Sequence, residues 1–123
     1  MPVHSLFPIL LTRDLPRLCA FYERALSGTV DYRFTDGGED VYVSLAIGAA
    51  SLGIGSEPDA PDASAGDRVA LWFYVDEVDA ACAACVATGG ELVRPPTDMP
   101  WGERVAQVRD PDGNLLNLGA EPS

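Results

Sequence analysis

Hydrophobic positions follow the same strand–helix pattern twice along this chain. In the first half, Phe7–Thr12 is an apolar run typical of a strand, and apolar residues then repeat at helical spacing over Leu15–Leu26. Asp14 stands just before that helix, where its carboxylate can accept hydrogen bonds from free backbone N–H groups. The second half starts again with a predicted strand at Val69–Val75 and a predicted helix at Glu77–Thr88. This repetition indicates an internal duplication.

Three short strands are predicted after each helix. Glycine turns and the segment Asp110–Asn114 separate apolar runs, some of which alternate with polar residues. Ser56–Asp67 is rich in Pro, Asp and Ala and is predicted to be a linker, and residues 94–102 are predicted to be a loop. The sequence therefore predicts one α+β domain of two βαβββ modules, at about residues 5–55 and 68–120. The predicted strands are Asp31–Thr35, Val41–Ile47 and Ser51–Ile54 in the first module, and Glu91–Arg94, Glu103–Arg109 and Leu115–Leu118 in the second.

The composition narrows the class of partner. Eight basic and 19 acidic residues give a net charge of −11, which disfavours binding to nucleic acids and to anionic lipids. No apolar run approaches the roughly 20 residues that span a bilayer, and the N-terminus lacks the pattern of a secretory signal. Three cysteines do not suggest a disulfide framework. We therefore expect a bacterial, cytoplasmic protein without nucleic-acid or membrane partners.

Three segments of the chain resemble a known family. RDLPRLCAFYERAL and FYVDEVDAACAACVATGGELVRPP are similar to its two strand–helix junctions, and PWGERVAQVRDPDGNLLNL is similar to its closing hairpin. On these segments the chain is identified as a short, bleomycin-resistance-like member of the glyoxalase/bleomycin-resistance/dioxygenase (vicinal oxygen chelate) superfamily. The resemblance implies curved mixed sheets that form a cleft, with the helices outside. It also implies a two-fold homodimer whose modules are exchanged or shared between chains.

Many enzymes of this family hold a divalent metal ion in the cleft through His, Glu or Gln side chains. The resemblance places three of these ligand positions at Phe7, Ala70 and Asn117 and the remaining one near Ser51. Phenylalanine and alanine offer no lone pair, and a neutral amide replaces a carboxylate poorly. His4 is the single histidine, and in an extended strand it would point to the face opposite Phe7. The resemblance therefore implies no bound metal or cofactor, which weighs against an enzyme without excluding one.

Cys82 and Cys85 have the spacing of a redox or zinc motif. Both lie inside the predicted second helix, and no second pair is present to complete a zinc site. Cys82 is the repeat counterpart of Cys19, so we interpret these thiols as small packing residues that face the sheet. Catalysis by a pair of carboxylates stays open, because 19 acidic residues allow many combinations.

Aromatic side chains are the strongest candidates for ligand binding. The family's strand orientation turns the former metal positions toward the cleft, so Trp72 and Tyr74 share that face while Leu71 and Phe73 face the helix. Trp101 lies in a loop between Pro and Gly, near the same end. The alternative is that these rings fill the cleft or lie at a dimer contact. The candidate ligand-binding residues are Phe7, Ile9, Tyr42, Trp72, Tyr74, Trp101 and, as a hydrogen-bonding group, Asn117.

Three functional hypotheses follow. The first is a metal-free binding protein that sequesters a planar aromatic or cationic antibiotic or natural product, and so confers drug resistance or self-resistance. Aromatic walls suit a flat, conjugated ligand. The second is a lyase, isomerase or epimerase of the same fold that acts on a small metabolite. The third is a dimeric structural or regulatory module whose cleft is vestigial.

Overall fold

The computed structural model describes residues 3–61 and 69–121. Within these residues the elements follow the order βαβββ twice, as the sequence predicts. The first module contains β1 (Ile9–Thr12), α1 (Leu15–Leu26), β2 (Thr29–Asp36), β3 (Glu39–Ile47) and β4 (Ala50–Ser56). The second contains β5 (Ala70–Tyr74), α2 (Val78–Ala87), β6 (Glu91–Asp98), β7 (Arg104–Arg109) and β8 (Leu115–Gly119).

Each module forms a four-stranded mixed sheet. The strand orders are β1-β4-β3-β2 and β5-β8-β7-β6. In both sheets the first strand runs parallel to the last, and the remaining neighbours are antiparallel. The two sheets therefore have the same topology, which confirms the predicted duplication within an α+β fold.

The local sequence explains where α1 begins and which face it buries. Asp14 caps the helix, because its Oδ1 accepts a hydrogen bond of 3.2 Å from the backbone N–H of Arg17. The apolar residues of α1 at helical spacing are buried, and they form one stripe. The buried residues of α1 are Leu15, Leu18, Cys19, Phe21, Tyr22, Ala25 and Leu26.

Tyr22 of α1 joins the two modules. Its ring lies 6.3 Å from that of Phe73 in β5, and its hydroxyl donates a hydrogen bond of 2.7 Å to Asp110 after β7. Both Tyr22 and Asp110 are buried. Buried side chains of both modules belong to one hydrophobic cluster, and α1 contacts α2 within it. The helices thus cover one face of each sheet and leave the other face open.

The structure corrects two predicted strand boundaries. Strand β1 begins at Ile9 and not at Phe7, because Pro8 has no backbone N–H to contribute to a ladder. Strand β6 continues to Asp98 through two prolines, where a loop was predicted from Arg94 onward. It is an edge strand that pairs only with β7, and its register shifts on either side of Arg94. Proline is tolerated at such edges and bulges.

The predicted linker lies partly inside the described residues. Residues 57–61 form turns without a helix or strand, and the predicted continuation through 62–67 lies outside the described residues. Neither helix among the described residues is long and apolar enough to cross a membrane.

The three thiols are packing residues, as the sequence predicts. Cys19, Cys82 and Cys85 are all buried in the hydrophobic cluster. Desolvation raises the pKa of Cys19 and of Cys85 to about 11, since burial penalises the thiolate. Thiols that stay protonated at neutral pH are poor nucleophiles and poor metal ligands.

Candidate functional site

The open face of the second sheet carries exposed aromatic rings. Strand alternation turns Leu71 and Phe73 toward the helices, whereas Trp72 and Tyr74 point to the open face, where they are 44% and 53% exposed. This arrangement confirms the predicted orientation of β5. The rings of Trp72 and Tyr74 lie 5.8 Å apart in an edge-to-face arrangement that is favourable for aromatic pairs.

A buried carboxylate connects Tyr74 with Trp101. Glu103 is only 9% exposed, and its Oε1 accepts a hydrogen bond of 2.6 Å from Trp101 Nε1. Its Oε2 accepts one of 2.8 Å from the Tyr74 hydroxyl. We call Trp72, Tyr74, Trp101 and Glu103 the Glu103 cluster. The structure therefore brings together the three aromatic residues predicted in the second module, and it adds Glu103, which was not predicted.

A tight turn places Trp101 and Glu103 side by side. The backbone N–H of Gly102 donates to the Met99 carbonyl at 3.0 Å, and the Met99 N–H donates to the Glu103 carbonyl at 2.8 Å. Gly102 has a φ of 98°, a conformation that L side chains rarely adopt. The sequence signal for this site was a carboxylate two residues after a loop tryptophan, at the first residue of the predicted strand Glu103–Arg109.

The hydrogen bond to Glu103 also affects the Tyr74 phenol. This bond, followed by partial desolvation and by the nearby charges of Glu103 and Glu121, raises the pKa of Tyr74. The phenol therefore keeps its proton to higher pH than an ordinary tyrosine and donates it to the carboxylate over that range. The negative charges that surround it would equally attract a positively charged group.

Trp72 lies across a glycine of the neighbouring strand. A Cβ atom on Gly119 would come within 2.8 Å of Cζ2 in the Trp72 indole, so only glycine leaves room for the ring in this position. Beside it, Trp72 pairs in register with Asn117, whose Oδ1 accepts a hydrogen bond of 3.0 Å from Gln107 Nε2. Asn117 thus lies next to the Glu103 cluster on the same face.

The candidates in the first module lie on the other sheet. Ile9 is 49% exposed on the open face of β1, and Phe7 precedes that strand and is 44% exposed. Tyr42 lies over Gly53, and its ring centre is 6.2 Å from that of Tyr32. The structure therefore does not show these three candidates in contact with the Glu103 cluster within one chain.

A groove of about 870 Å³ lies between the two modules. The β3–β4 hairpin lies on one side, and the free edge of β5, including Trp72 and Tyr74, lies on the other. Among its described lining residues, Asp76, Glu77 and Glu121 are negatively charged and none is positively charged. Apolar side chains from α1 and β5 complete the lining, so the groove is apolar with an acidic border.

The residues at the expected metal positions do not fit a metal ion. Ala70 and Phe7 have no donor atom, and the oxygen of Asn117 already accepts a hydrogen bond from Gln107. The fourth expected position lies near Ser51 in β4, and Ser51 offers only a neutral hydroxyl. Gly53 of the same strand pairs with Ile9 as Asn117 pairs with Trp72, and it has no side-chain donor. Within the described part of the chain, no three His, Cys, Asp or Glu residues are grouped so that they could hold a metal.

Sequence comparisons agree with this architecture. A sequence profile of the glyoxalase/bleomycin resistance protein/dioxygenase superfamily matches residues 4–118. A relative from Mycobacterium bovis, named "Putative glyoxylase CFP32", is 32% identical over 109 residues. That match covers 88% of this chain but only 41% of the relative, so the chain spans about two-fifths of that protein's length.

Solved structures show the same fold. A glyoxalase/bleomycin resistance protein/dioxygenase family enzyme from Burkholderia phytofirmans superposes with a TM-score of 0.78 at 19% identity, covering 93% of this chain and 95% of that one. A bleomycin resistance determinant encoded on transposon Tn5 superposes with a TM-score of 0.68 at 24% identity, covering 97% and 98%. At these identities the likeness concerns the fold alone.

Proposed function

Since the chain belongs to the glyoxalase/bleomycin resistance protein/dioxygenase superfamily, we propose that it binds a planar aromatic small molecule against the Glu103 cluster without using a metal ion. The observation that carries this proposal is a group of three half-exposed aromatic rings, two of which, Tyr74 and Trp101, bond to one buried carboxylate while Trp72 packs against Tyr74. Large exposed rings cost hydrophobic free energy in water, and a flat ligand stacked on them would recover it. The metal-free reading is supported by the lack of donors at Phe7 and Ala70.

Antibiotic capture is the form of binding that we favour. One protein of the same fold is a bleomycin resistance determinant, and a protein that only sequesters a drug needs an aromatic surface and no catalytic group. The open face of the second sheet also offers Asn117 as a hydrogen-bonding group. Tyr42, Phe7 and Ile9 lie on the other sheet, so we propose that they contact the same ligand only where a second chain brings the two sheets together. The biological role proposed is drug resistance or self-resistance.

A fluorescence titration tests this proposal. A panel of aromatic antibiotics is titrated into the protein, and saturable quenching with defined stoichiometry is expected because Trp72 and Trp101 both belong to the proposed site. Each of Trp72→Ala and Trp101→Ala should weaken binding of the confirmed ligand, while the remaining tryptophan still reports. Prior dialysis against a chelator should leave the affinity unchanged. Unchanged affinity in both variants would show that the ligand binds elsewhere.

An enzymatic function is the second candidate, favoured by the Tyr74–Glu103 hydrogen bond. A phenol that donates to a buried carboxylate is a pair through which a proton could be exchanged with a bound metabolite. Proton exchange of this kind is the chemistry of a lyase, an isomerase or an epimerase. Mass spectrometry of the titration mixture separates the two functions. A binding protein returns its ligand intact, whereas an enzyme converts it to a product of a new mass or structure.

We also propose that two chains pair as a two-fold dimer. Ile9, Leu11, Tyr32 and Phe34 expose between 49% and 60% of their surface on one sheet face. A second chain covering this face would bury an apolar patch that a monomer leaves in water. Sedimentation equilibrium is expected to give twice the chain mass of 13.0 kDa. Leu11→Glu, which places a charge on that face, should shift the mass to that of one chain.

A further inference from the structure

We infer that the Glu103 cluster binds the cationic end of its ligand and so selects positively charged aromatic molecules over neutral ones. This inference rests on the proposed function, because it assigns a charge to the ligand proposed there. It concerns Glu103 and the acidic groups near Tyr74, which the sequence patterns did not identify.

The charge of Glu103 is not balanced within the described residues. The side chain is 9% exposed, and both of its hydrogen-bonding partners, Tyr74 and Trp101, are neutral donors. A carboxylate offers about four acceptor sites, and these two hydrogen bonds leave the remaining sites of Glu103 without a partner, whereas the buried Asp110 accepts four hydrogen bonds. Desolvation of an incompletely paired carboxylate costs several kcal/mol. No ion pair to Glu103 occurs among residues 3–61 and 69–121.

The neighbouring arginine does not supply that charge. Arg104 follows Glu103 directly, but its guanidinium Nε and Nη1 bond to Asp79 at 2.9 Å and to Asp98 at 3.0 Å. These contacts hold Arg104 away from the carboxylate that lies next to it in sequence. The position beside Glu103 is therefore left for a cation from outside the described chain.

The surroundings of Glu103 favour such a cation. Aromatic faces attract positive groups through their quadrupole. The exposed rings of Tyr74 and Trp101 bond to the carboxylate, and the exposed ring of Trp72 lies 5.8 Å from that of Tyr74. Glu121 lies close enough to influence the Tyr74 phenol, and it also borders the inter-module groove. The two hydrogen bonds to Glu103 fix the carboxylate in place, so a bound cation would meet a preorganised partner. A protonated amine, a quaternary ammonium or a ring cation fits this chemistry.

Two dyes of the same shape test the inference. N-methylacridinium carries a permanent positive charge, whereas acridine is neutral at about pH 8, and both are flat three-ring systems. The wild-type protein is expected to bind the cation about tenfold more tightly. Glu103→Gln keeps the size and much of the hydrogen bonding, and it should bind the two dyes with equal affinity. Glu91→Gln is the matched control, because it removes the same charge at the far end of the β6–β7 pair, where Glu91 pairs with Arg109. This variant should keep the preference for the cationic dye.

Each outcome has a separate meaning. Equal binding of both dyes to the wild-type protein would overturn the inference and leave the proposed function standing, since an aromatic ligand is still captured. If neither dye binds, the proposed function fails and the inference fails with it. If Glu91→Gln also loses the preference for N-methylacridinium over acridine, that preference reflects the net charge of the protein and not Glu103, and the inference is wrong. The wild-type comparison uses no variant, so it decides the question even if Glu103→Gln does not fold.

Discussion

Replacing Asp110 with alanine is expected to lower the free energy of unfolding by about 3–5 kcal/mol. The carboxylate is 3% exposed and accepts four hydrogen bonds. They come from the Tyr22 hydroxyl at 2.7 Å, the backbone N–H groups of Asp112 at 2.9 Å and Asn114 at 3.0 Å, and the Asn114 side-chain amide at 2.9 Å. Alanine would leave these donors without their acceptor, and one of them lies in the other module. Urea unfolding followed by circular dichroism measures the effect.

Asp112→Ala is the matched control for this experiment. It removes the same charge from the same turn, but one oxygen of Asp112 is buried with no hydrogen-bond partner. Its loss is therefore expected to change stability by less than about 0.5 kcal/mol or to raise it slightly. If the two variants are equally stable, the Asp110 network does not join the modules in the way that we describe.

The Tyr22–Asp110 bond also gives stability a dependence on alkaline pH. Burial, and then the charge and hydrogen bond of Asp110, raise the pKa of the Tyr22 phenol well above its ordinary value of 10.0. The unfolded chain therefore loses this proton first, so the contribution is complete below pH 10 and declines as the pH rises further. Tyr22→Phe should remove the part of the fall in unfolding free energy above pH 10 that comes from this phenol. The pH dependence of stability is therefore a second measurement of the Tyr22–Asp110 bond.

Most of the fold could be predicted from the sequence because its signals are local. The helical stripe that begins after Asp14 predicts α1, and the alternating residues of β3 predict that strand. The repeat of the pattern in the second half supports both predictions. The end of β6 could not be predicted in this way. Pro95 and Pro96 read as a loop unless the strand is known to lie at an edge, and that position depends on the whole sheet.

The candidate site was only partly predictable for the same reason. Strand alternation placed Trp72 and Tyr74 on one face of β5, and the resemblance to the family indicated that this face is the open one. No sequence pattern distinguishes Glu103 from the other acidic residues, of which the chain has 19 in total. Its role depends on a turn that places Trp101 beside the end of β5. A contact between distant strands leaves no periodic signal, so it becomes visible only in three dimensions.

Gly119→Ala is expected to lower the affinity for an aromatic ligand by about thirtyfold, as Trp72→Ala would. The added Cβ would lie 2.8 Å from the Trp72 indole, so the ring must leave its present position. Trp72 is 44% exposed and can swing toward solvent, so the free energy of unfolding should change by less than about 1 kcal/mol. Binding of N-methylacridinium, followed by fluorescence anisotropy, measures the loss.

Gly55→Ala provides the control in the other module. Gly55 occupies the position in β4 that Gly119 occupies in β8, since it pairs with Leu11 as Gly119 pairs with Tyr74. An added Cβ there meets the end of the Leu11 side chain at 3.2 Å, which can adjust, and the Glu103 cluster is not involved. Its affinity for the dye should stay within about twofold of the wild-type value. If Gly119→Ala also binds normally, the indole is not the surface on which the ligand stacks, and capture must use the first sheet or the inter-module groove instead.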